Sequence, residues 1–266
     1  MKRIIIGVDG NDGNVSQKVG VSVYCYQMLD YFKSQANEAV SFIIYLREEP
    51  ADDMPKETDF FRYRVVPGRF LWSKIFLPFH LLTSRRPDVF FSPTHYSPAW
   101  LPCPLVFTMH DTAYEYYPHE FLKKDLYKLK NWTLQSARKA RRIIVVSKST
   151  MNDTIKFYGV PESRISLIYN GFQKHSTHIP TSESLKLWNI QQKNYLLYVG
   201  TLQSRKNITT LVEAFDEIKE DYPDLKLVLA GKKGWLDKEI FDRVTQLKLG
   251  HRVVFTGYVN DIQLSS

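Results

Sequence analysis

The chain has 266 residues, 44% hydrophobic and 14% aromatic, which is enough to bury a substantial core and too apolar for a disordered polymer. Two cysteines, Cys25 and Cys103, stand without close-spaced partners, so neither a disulfide framework nor a zinc knuckle is readable and a reducing cytosol fits. The formal charge of +8, from 36 basic and 28 acidic residues, favours an anionic partner such as a nucleotide phosphate, an acidic membrane face or nucleic acid, although a well-solvated surface gives the same sum.

Strand-like apolar runs alternate with helical-period segments, the pattern of an α/β protein with parallel sheets. The opening "MKRIIIGVDG" holds an apolar run too short for a signal peptide and reads as a strand, Ile4–Val8. Helix Val21–Phe32, strands Val40–Leu46 and Arg62–Val66, helix Leu71–Leu82 and strands Val89–Phe91 and Leu105–Thr108 are expected next. The densest apolar stretch, "FLWSKIFLPFHLL", is broken by Lys74, Pro78 and His80 and falls short of the roughly 20 residues that span a bilayer. Helix Phe121–Ala140, strand Ile143–Val146, helix Ser149–Tyr158 and strand Ser166–Tyr169 complete a first domain, 1–172. Ser147 and Ser149 are both candidate caps for the last helix, and Gly159 stops it.

Residues 173–194 are polar and lack a strong period, as a linker would. A second alternation follows: strand Tyr195–Val199, helix Ile208–Tyr222, strand Leu225–Ala230, helix Leu236–Leu249 and strand Val253–Phe255. This βαβαβ run is half of a doubly wound domain, so the second domain, 195–266, is expected to be incomplete. Its sheet should then have an unfilled edge, with the helix face of Leu236, Ile240, Phe241, Val244 and Leu247 partly uncovered. Asn207 is the expected N-cap of the helix Ile208–Tyr222, and Pro223 its stop.

In "LYVGTLQSRKN" two adjacent cations, Arg205 and Lys206, sit in a strand-to-helix loop beside a helix N-terminus. Unpaired N–H groups and the helix dipole favour an anion there. Arginine offers a planar fork for phosphate oxygens and lysine a compact charge, a pair suited to a diphosphate that gains charge as it leaves. Two solvent-facing cations in a turn are the alternative. Gly200, closing the strand, would let backbone approach a phosphate, or serve a simple tight turn. Gly231 and Lys232, in "GKKGW", end the next strand, where a base or ribose would pass, or form a solvated turn anchored by Trp235. The three glycines of a dinucleotide fingerprint are missing from "GNDGNVSQKVG", which disfavours a nicotinamide dehydrogenase.

Several segments in order, "YLLYVGTLQSRKNITTLVEAF", "LKLVLAGKKGW", "RVVFTGYV", "IIVVSKSTMNDTIKFYGVPESRISLIYNGF", "FTMHDTAYEYYPHEF" and "LWSKIFLPFHLLTSRRPDVFFSP", resemble the retaining glycosyltransferases of family 4. The resemblance runs over nearly the whole chain and implies the GT-B fold of two Rossmann-like domains. It implies that the second domain binds a nucleotide-diphosphate sugar, with Arg205 and Lys206 gripping the diphosphate near Gly200, Gly231 and Lys232. It implies that the first domain faces a glycan or lipid-linked acceptor, with Gly20 at a helix N-terminus pointing to the cleft and His110, followed by Asp111, near the sugar. Catalysis would rest on charge stabilisation by Arg205 and Lys206 with His110, with no protein nucleophile, cofactor or metal, and a mannose-like hexose as the transferred sugar. The family's E-x7-E glutamates would lie beyond Ser266, so a C-terminally truncated enzyme is expected.

Lys123, Lys124, Lys128, Lys130, Arg138, Lys139, Arg141 and Arg142 crowd one helical region with Asp125 as the acid near in sequence, which suggests peripheral contact with anionic lipid at the inner, cytoplasmic membrane face. A non-catalytic GT-B-like interaction protein and a nucleotide-sugar epimerase are the competing readings. No recognisable nucleic-acid module is present in the sequence.

Overall fold

The computed structural model describes residues 3–68, 70–94, 96–172, 185–191, 194–234 and 237–264. The chain forms two compact units, one of Met1–Tyr116 with Lys123–Gly171 and one of Tyr117–Leu122 with Phe172–Ser266.

In the first unit β1 (Ile4–Asp9), β2 (Val40–Leu46), β3 (Phe61–Val65), β4 (Val89–Ser92), β5 (Leu105–Met109), β6 (Arg142–Val145) and β7 (Ile165–Leu167) build one sheet. Its order is β3-β2-β1-β4-β5-β6-β7, and every neighbouring pair is parallel. Parallel strands are covered on both faces, which is why they read as continuous apolar runs instead of alternating ones. Helix α1 (Val21–Gln35) lays Cys25 and Leu29 on Val8, Phe42, Ile44, Leu46 and Phe91 of the sheet. Burying each such large apolar side chain contributes about 1.5–3 kcal/mol. Helices α2 (Phe76–Thr83), α3 (Ala113–Tyr116), α4 (Lys123–Lys139) and α5 (Lys148–Tyr158) follow. Of the two candidate caps Ser147 is used: its side chain accepts the Thr150 N–H at 3.0 Å, and Gly159 closes α5.

The order of the strands reverses at β1, whose two neighbours are β2 and β4. Loops at the carboxyl ends of β1 and β4 therefore splay apart, leaving the crevice in which open α/β sheets bind ligands. Asp9 to Asp12 and Pro93–Thr94 lie at this point, and His110 follows β5 next door.

In the second unit β8 (Tyr195–Val199), β9 (Lys226–Ala230) and β10 (Val253–Gly257) pair in parallel in the order β10-β9-β8. Helix α6 (Ile208–Ile218) buries Ile208, Val212 and Phe215, and α7 (Lys238–Gln246) buries Ile240 and Val244. Both cover Leu227 and Leu229 of β9. On the other face Leu185 and Ile190 pack against Val228 with Trp188 alongside. Most of the remaining stretch expected as a linker, 173–184 and 192–193, lies outside the described residues, as do Trp235 and Leu236.

Several expectations shift. Helix α2 begins at Phe76 and not at Leu71, because Leu71 takes a left-handed conformation (φ 53°) and residues 71–75 form a turn, tied down by the Trp72 indole N–H donating to the Val66 carbonyl at 2.6 Å. Helix α6 ends at Ile218, short of the expected Tyr222, and the chain turns over 219–221 before reaching Pro223, which has no N–H to continue a helix. Asn207 sits at the N-cap position of α6 without capping a backbone N–H. The chain arrives from the tight 3-10 turn Ser204–Lys206, so Asn207 is left-handed (φ 54°), and its Oδ1 accepts from the Thr210 hydroxyl at 2.8 Å instead. On α7 Ile240 and Val244 are buried and Phe241 and Leu247 are half-buried against the core, as a partly uncovered face would be, while the more open apolar surface is on β8. That strand is an edge of its sheet, and Leu196, Leu197 and Val199 are exposed.

The basic region of α4 is also less free than its sequence suggests. Lys130 pairs with Glu115 at 2.9 Å, an acid far off in sequence, and Lys128 with Asp125 at 3.8 Å. Lys139 donates to the Ala99 carbonyl, and Arg142 to the Ser163 carbonyl at 2.7 Å. Lys123, Lys124, Arg138 and Arg141 are exposed with no ion pair among the described residues.

Candidate functional site

Each strand of the second unit ends in glycine: Gly200 after β8, Gly231 after β9 and Gly257 within the end of β10. Main chain laces these ends together. The Gly200 N–H donates to Ala230 O at 2.9 Å, Gly231 N–H to Gly257 O at 2.9 Å, Leu202 N–H to Lys232 O at 3.0 Å and Gly234 N–H to Leu202 O at 2.8 Å. The approach is so close that a β-carbon on Gly231 would stand 2.6 Å from the Gly200 carbonyl carbon and nearer still to its oxygen. With φ at 153°, Gly231 also holds a backbone conformation that other residues rarely adopt.

Above this rim the chain makes the Ser204–Lys206 turn and enters α6. Arg205 and Lys206 are exposed, and neither forms an ion pair with a described residue. The Arg205 Nε–H donates to Gln203 Oε1 at 3.0 Å, which orients the guanidinium, and its charge acts on the half-buried Tyr198 hydroxyl. Burial raises the pKa of that hydroxyl, and Arg205 opposes the rise. Two cations without ion pairs among the described residues, a helix N-terminus and a rim of side-chain-free backbone are the features that favour a multiply charged anion. Lys232 is half-buried at the same rim.

At the switch point of the first unit, the Asp9 carboxylate accepts the N–H of Asn11 at 3.2 Å and its side-chain amide at 2.8 Å. Burial, reinforced by the negative charge of Asp12, pushes the Asp9 pKa up to about 7. Burial also raises Asp12, against the pull of the Thr94 hydroxyl and of His110; the residue as a whole is exposed, while its carboxyl is set among these groups. Burial lowers the pKa of His110, although the Pro93 carbonyl, Asp111 and Asp12 each favour its protonated form. His110 Nε2 lies 2.8 Å from the Pro93 carbonyl oxygen, which only accepts, so the neutral ring carries its proton on Nε2 and Nδ1 is the acceptor nitrogen. Tyr24 packs edge-on against this ring at 4.7 Å, and its hydroxyl lies 3.1 Å from that of Thr108.

Of the other expected acceptor-side residues, Gly20 is the N-cap of α1 with φ 52° and open space where a side chain would be. Asp111 accepts the Ala113 N–H at 3.1 Å and so starts α3. The structure thus gathers Gly200, Arg205, Lys206, Gly231 and Lys232 at one rim of the second unit, and places His110 and Asp111 in the first. Asp12 and Tyr24 act on His110, with Thr94 and Asp9 beside Asp12, and these four residues are not among the expected site residues. Their signal was two carboxylates in "VDGND" directly after a strand, a spacing that marks no family by itself. Among the described residues no group of three or more His, Cys, Asp or Glu could hold a metal ion.

Two units built on parallel sheets with covering helices define a GT-B type protein. Residues 19–174 match Glycosyltransferase Family 4 and residues 182–266 match Glycosyl transferases group 1, so the chain belongs to glycosyltransferase family 4. It is 28% identical over 219 residues to O-antigen chain mannosyltransferase B of Escherichia coli, covering 76% of this chain and 52% of that protein. It is 27% identical over 156 residues to O-antigen chain mannosyltransferase RfbU of Salmonella typhimurium, covering 56% of this chain and 40% of that protein. The chain therefore spans about half the length of the curated relatives it matches, or less. Among solved structures, Anabaena HepE in complex with UDP and glucose superposes with a TM-score of 0.69 at 17% identity, over 99% of this chain and 72% of that one. WaaG, a glycosyltransferase involved in lipopolysaccharide biosynthesis, gives 0.64 at 17%, over 98% and 71%. The S. aureus MnaA–UDP structure shares the fold at 0.56 and 10%, over 99% and 71%.

Proposed function

We propose that this chain is the donor-gripping part of a retaining transferase that moves a hexose, mannose in the reading its relatives favour, from a nucleotide-diphosphate sugar to a glycan or lipid-linked acceptor. The observation that carries the reading is the pair Arg205 and Lys206, unpaired among the described residues at the N-terminus of α6 and beside the glycine rim. As the glycosidic bond to the diphosphate breaks, negative charge grows on the departing oxygen. Two fixed cations and a helix dipole stabilise that charge more than the ground state, which is the form of binding that accelerates a reaction. Gly200 and Gly231 admit the phosphates to main chain, and Lys232 lies on the path of the ribose or base. In the first unit neutral His110, held in one tautomer, contacts sugar hydroxyls, and Gly20 and Asp111 shape the acceptor side. Retention follows if the departing diphosphate itself takes the acceptor proton on the same face. No cofactor or metal enters this scheme.

Two of the relatives are O-antigen chain mannosyltransferases, which supports a reading of work at the cytoplasmic face of a membrane, with the exposed cations of α4 toward anionic lipid. No helix among the described residues is long and apolar enough to cross a bilayer.

Calorimetric titration with UDP and GDP tests the grip. Arg205→Ala with Lys206→Ala should weaken nucleoside-diphosphate binding more than a hundredfold, since each charge-assisted bond is worth about 1.5–3 kcal/mol. Unchanged affinity in a variant with an unaltered melting transition would remove the diphosphate role.

A further inference from the structure

The first unit carries an apolar surface that the transferase reading does not use. Phe70 is 84% exposed, Phe79 65%, Ile75 54% and Leu71 52%, with Phe76 and Leu82 exposed beside them. Helix α2 buries Leu77, Pro78 and Leu81 against the protein, so Ile75, Phe76, Phe79 and Leu82, three or four residues apart, line the opposite face. It is a helix apolar on both sides, one of them turned to solvent. Soluble surfaces seldom keep so many large apolar side chains together without a partner. The turn that leads into the helix is held in a costly shape, with Leu71 left-handed (φ 53°) and its side chain outward. Trp72, buried and bonded to the Val66 carbonyl, anchors that turn from below.

The charge carried by the sequence around this face is mostly positive, although Arg62 pairs with Glu57 and Asp59 and the exposed Asp88 follows Pro87. From Phe61 to Pro87 the sequence holds five arginines and one lysine and no acidic residue. Arg85 and Arg86 are exposed directly after α2 and form no ion pair with a described residue. Arg64 lies close enough for its charge to act on His80 of the same helix. A protruding aromatic and aliphatic face followed directly by two exposed arginines is the chemistry of insertion at an anionic bilayer surface. A second copy of the chain suits it poorly, because facing rims would oppose cation to cation.

We propose that the α2 face, led by Phe70, Ile75 and Phe79 and rimmed by Arg85 and Arg86, docks the protein on anionic lipid by shallow insertion. This rests on the membrane part of the reading above and not on sugar transfer; it assigns the contact to α2 and leaves α4 a secondary role. Flotation of the full chain with phosphatidylcholine vesicles, with and without phosphatidylglycerol, at low and raised salt is the test. Binding should require phosphatidylglycerol. Phe70→Ser with Phe79→Ser should lower the vesicle-bound fraction at least about tenfold at either salt, since two buried phenyl groups are lost. Arg85→Gln with Arg86→Gln should lower it several-fold, most at low salt, and Lys123→Gln with Lys124→Gln on α4 should change it less than twofold. All three variants should keep the melting transition and UDP titration of the parent, so that failure here is separable from failure of the donor reading. No flotation of the parent with phosphatidylglycerol at low salt, or loss confined to the α4 pair, overturns the proposal. So does a concentration-dependent dimer that the Phe70/Phe79 variant abolishes without any vesicle binding by the parent.

Discussion

Replacing Gly231 by alanine tests whether the rim of the second unit is built from main chain. The added carbon would lie 2.6 Å from the Gly200 carbonyl carbon and nearer still to its oxygen, where ordinary contact begins at 3.4 Å, so the ends of β8 and β9 must part by more than an ångström. The obstacle is backbone, which has no rotamer to change. Parting the ends strains or breaks the bonds Gly200 N–H to Ala230 O and Gly231 N–H to Gly257 O, both 2.9 Å. At about 1 kcal/mol each, with about 1–2 kcal/mol for a non-glycine residue at φ 153°, the loss is about 3–4 kcal/mol. In urea, with a slope of about 1–3 kcal/mol per molar, the unfolding midpoint of the second unit should fall by at least about 1 M. Hydrogen exchange at the amides of β9 assigns the loss to this unit. Gly250→Ala is the control: no atom lies within 4 Å of its new carbon, and its midpoint should move by no more than a few tenths molar. A Gly231→Ala protein that unfolds at the parent's midpoint would refute the main-chain account.

Asp9, with its pKa raised to about 7 in the fold, binds a proton that the unfolded chain releases near the ordinary carboxylate pKa of about 4, so it favours folding at low pH and that contribution is lost as pH rises through 7. Asp9→Asn, which can still accept from Asn11, should raise the melting temperature at pH 8 and flatten its fall between pH 4 and 7; an equal fall in both proteins would show that the carboxyl is not desolvated. The exposed apolar edge of β8 should make the chain self-associate as concentration rises, and Leu197→Lys should reduce this in sedimentation velocity without lowering the melting temperature. Association that is unchanged by the lysine would place the sticky surface elsewhere.

What could be read in advance followed from local chemistry. Strand β2 has the expected bounds, Val40 and Leu46, because an unbroken β-rich run between polar turns admits no other register. Arg205 and Lys206 stand at a helix N-terminus as expected, since a strand, a glycine and an amphipathic helix in succession leave one place for the loop. The start of α2 was misjudged because the deciding bond, Trp72 to Val66, belongs to tertiary structure, and periodicity cannot distinguish an apolar turn from an apolar helix. Lys130 was counted as a free cation because Glu115 is distant in sequence and near only in the fold. The surroundings of His110 were hidden for the same reason: Asp9 is an ordinary acid until burial and Asp12 raise its pKa, and no spacing rule announces that Tyr24 will meet the ring.

The glycine rim has a further consequence for how such a protein can change. Where frameworks are held by interlocking side chains, altering one residue usually demands a compensating change in its neighbour. Here Thr201 and Lys232 ride on loops whose spacing is set through peptide groups at Gly200 and Gly231, whereas Gln203 is tied to Arg205 and Lys233 lies over the Phe241 ring. The identities of Thr201 and Lys232 are therefore close to independent of the scaffold. A lineage, or a combinatorial library, can exchange those two letters while the glycines stay, and so explore new ligands without first repairing the fold.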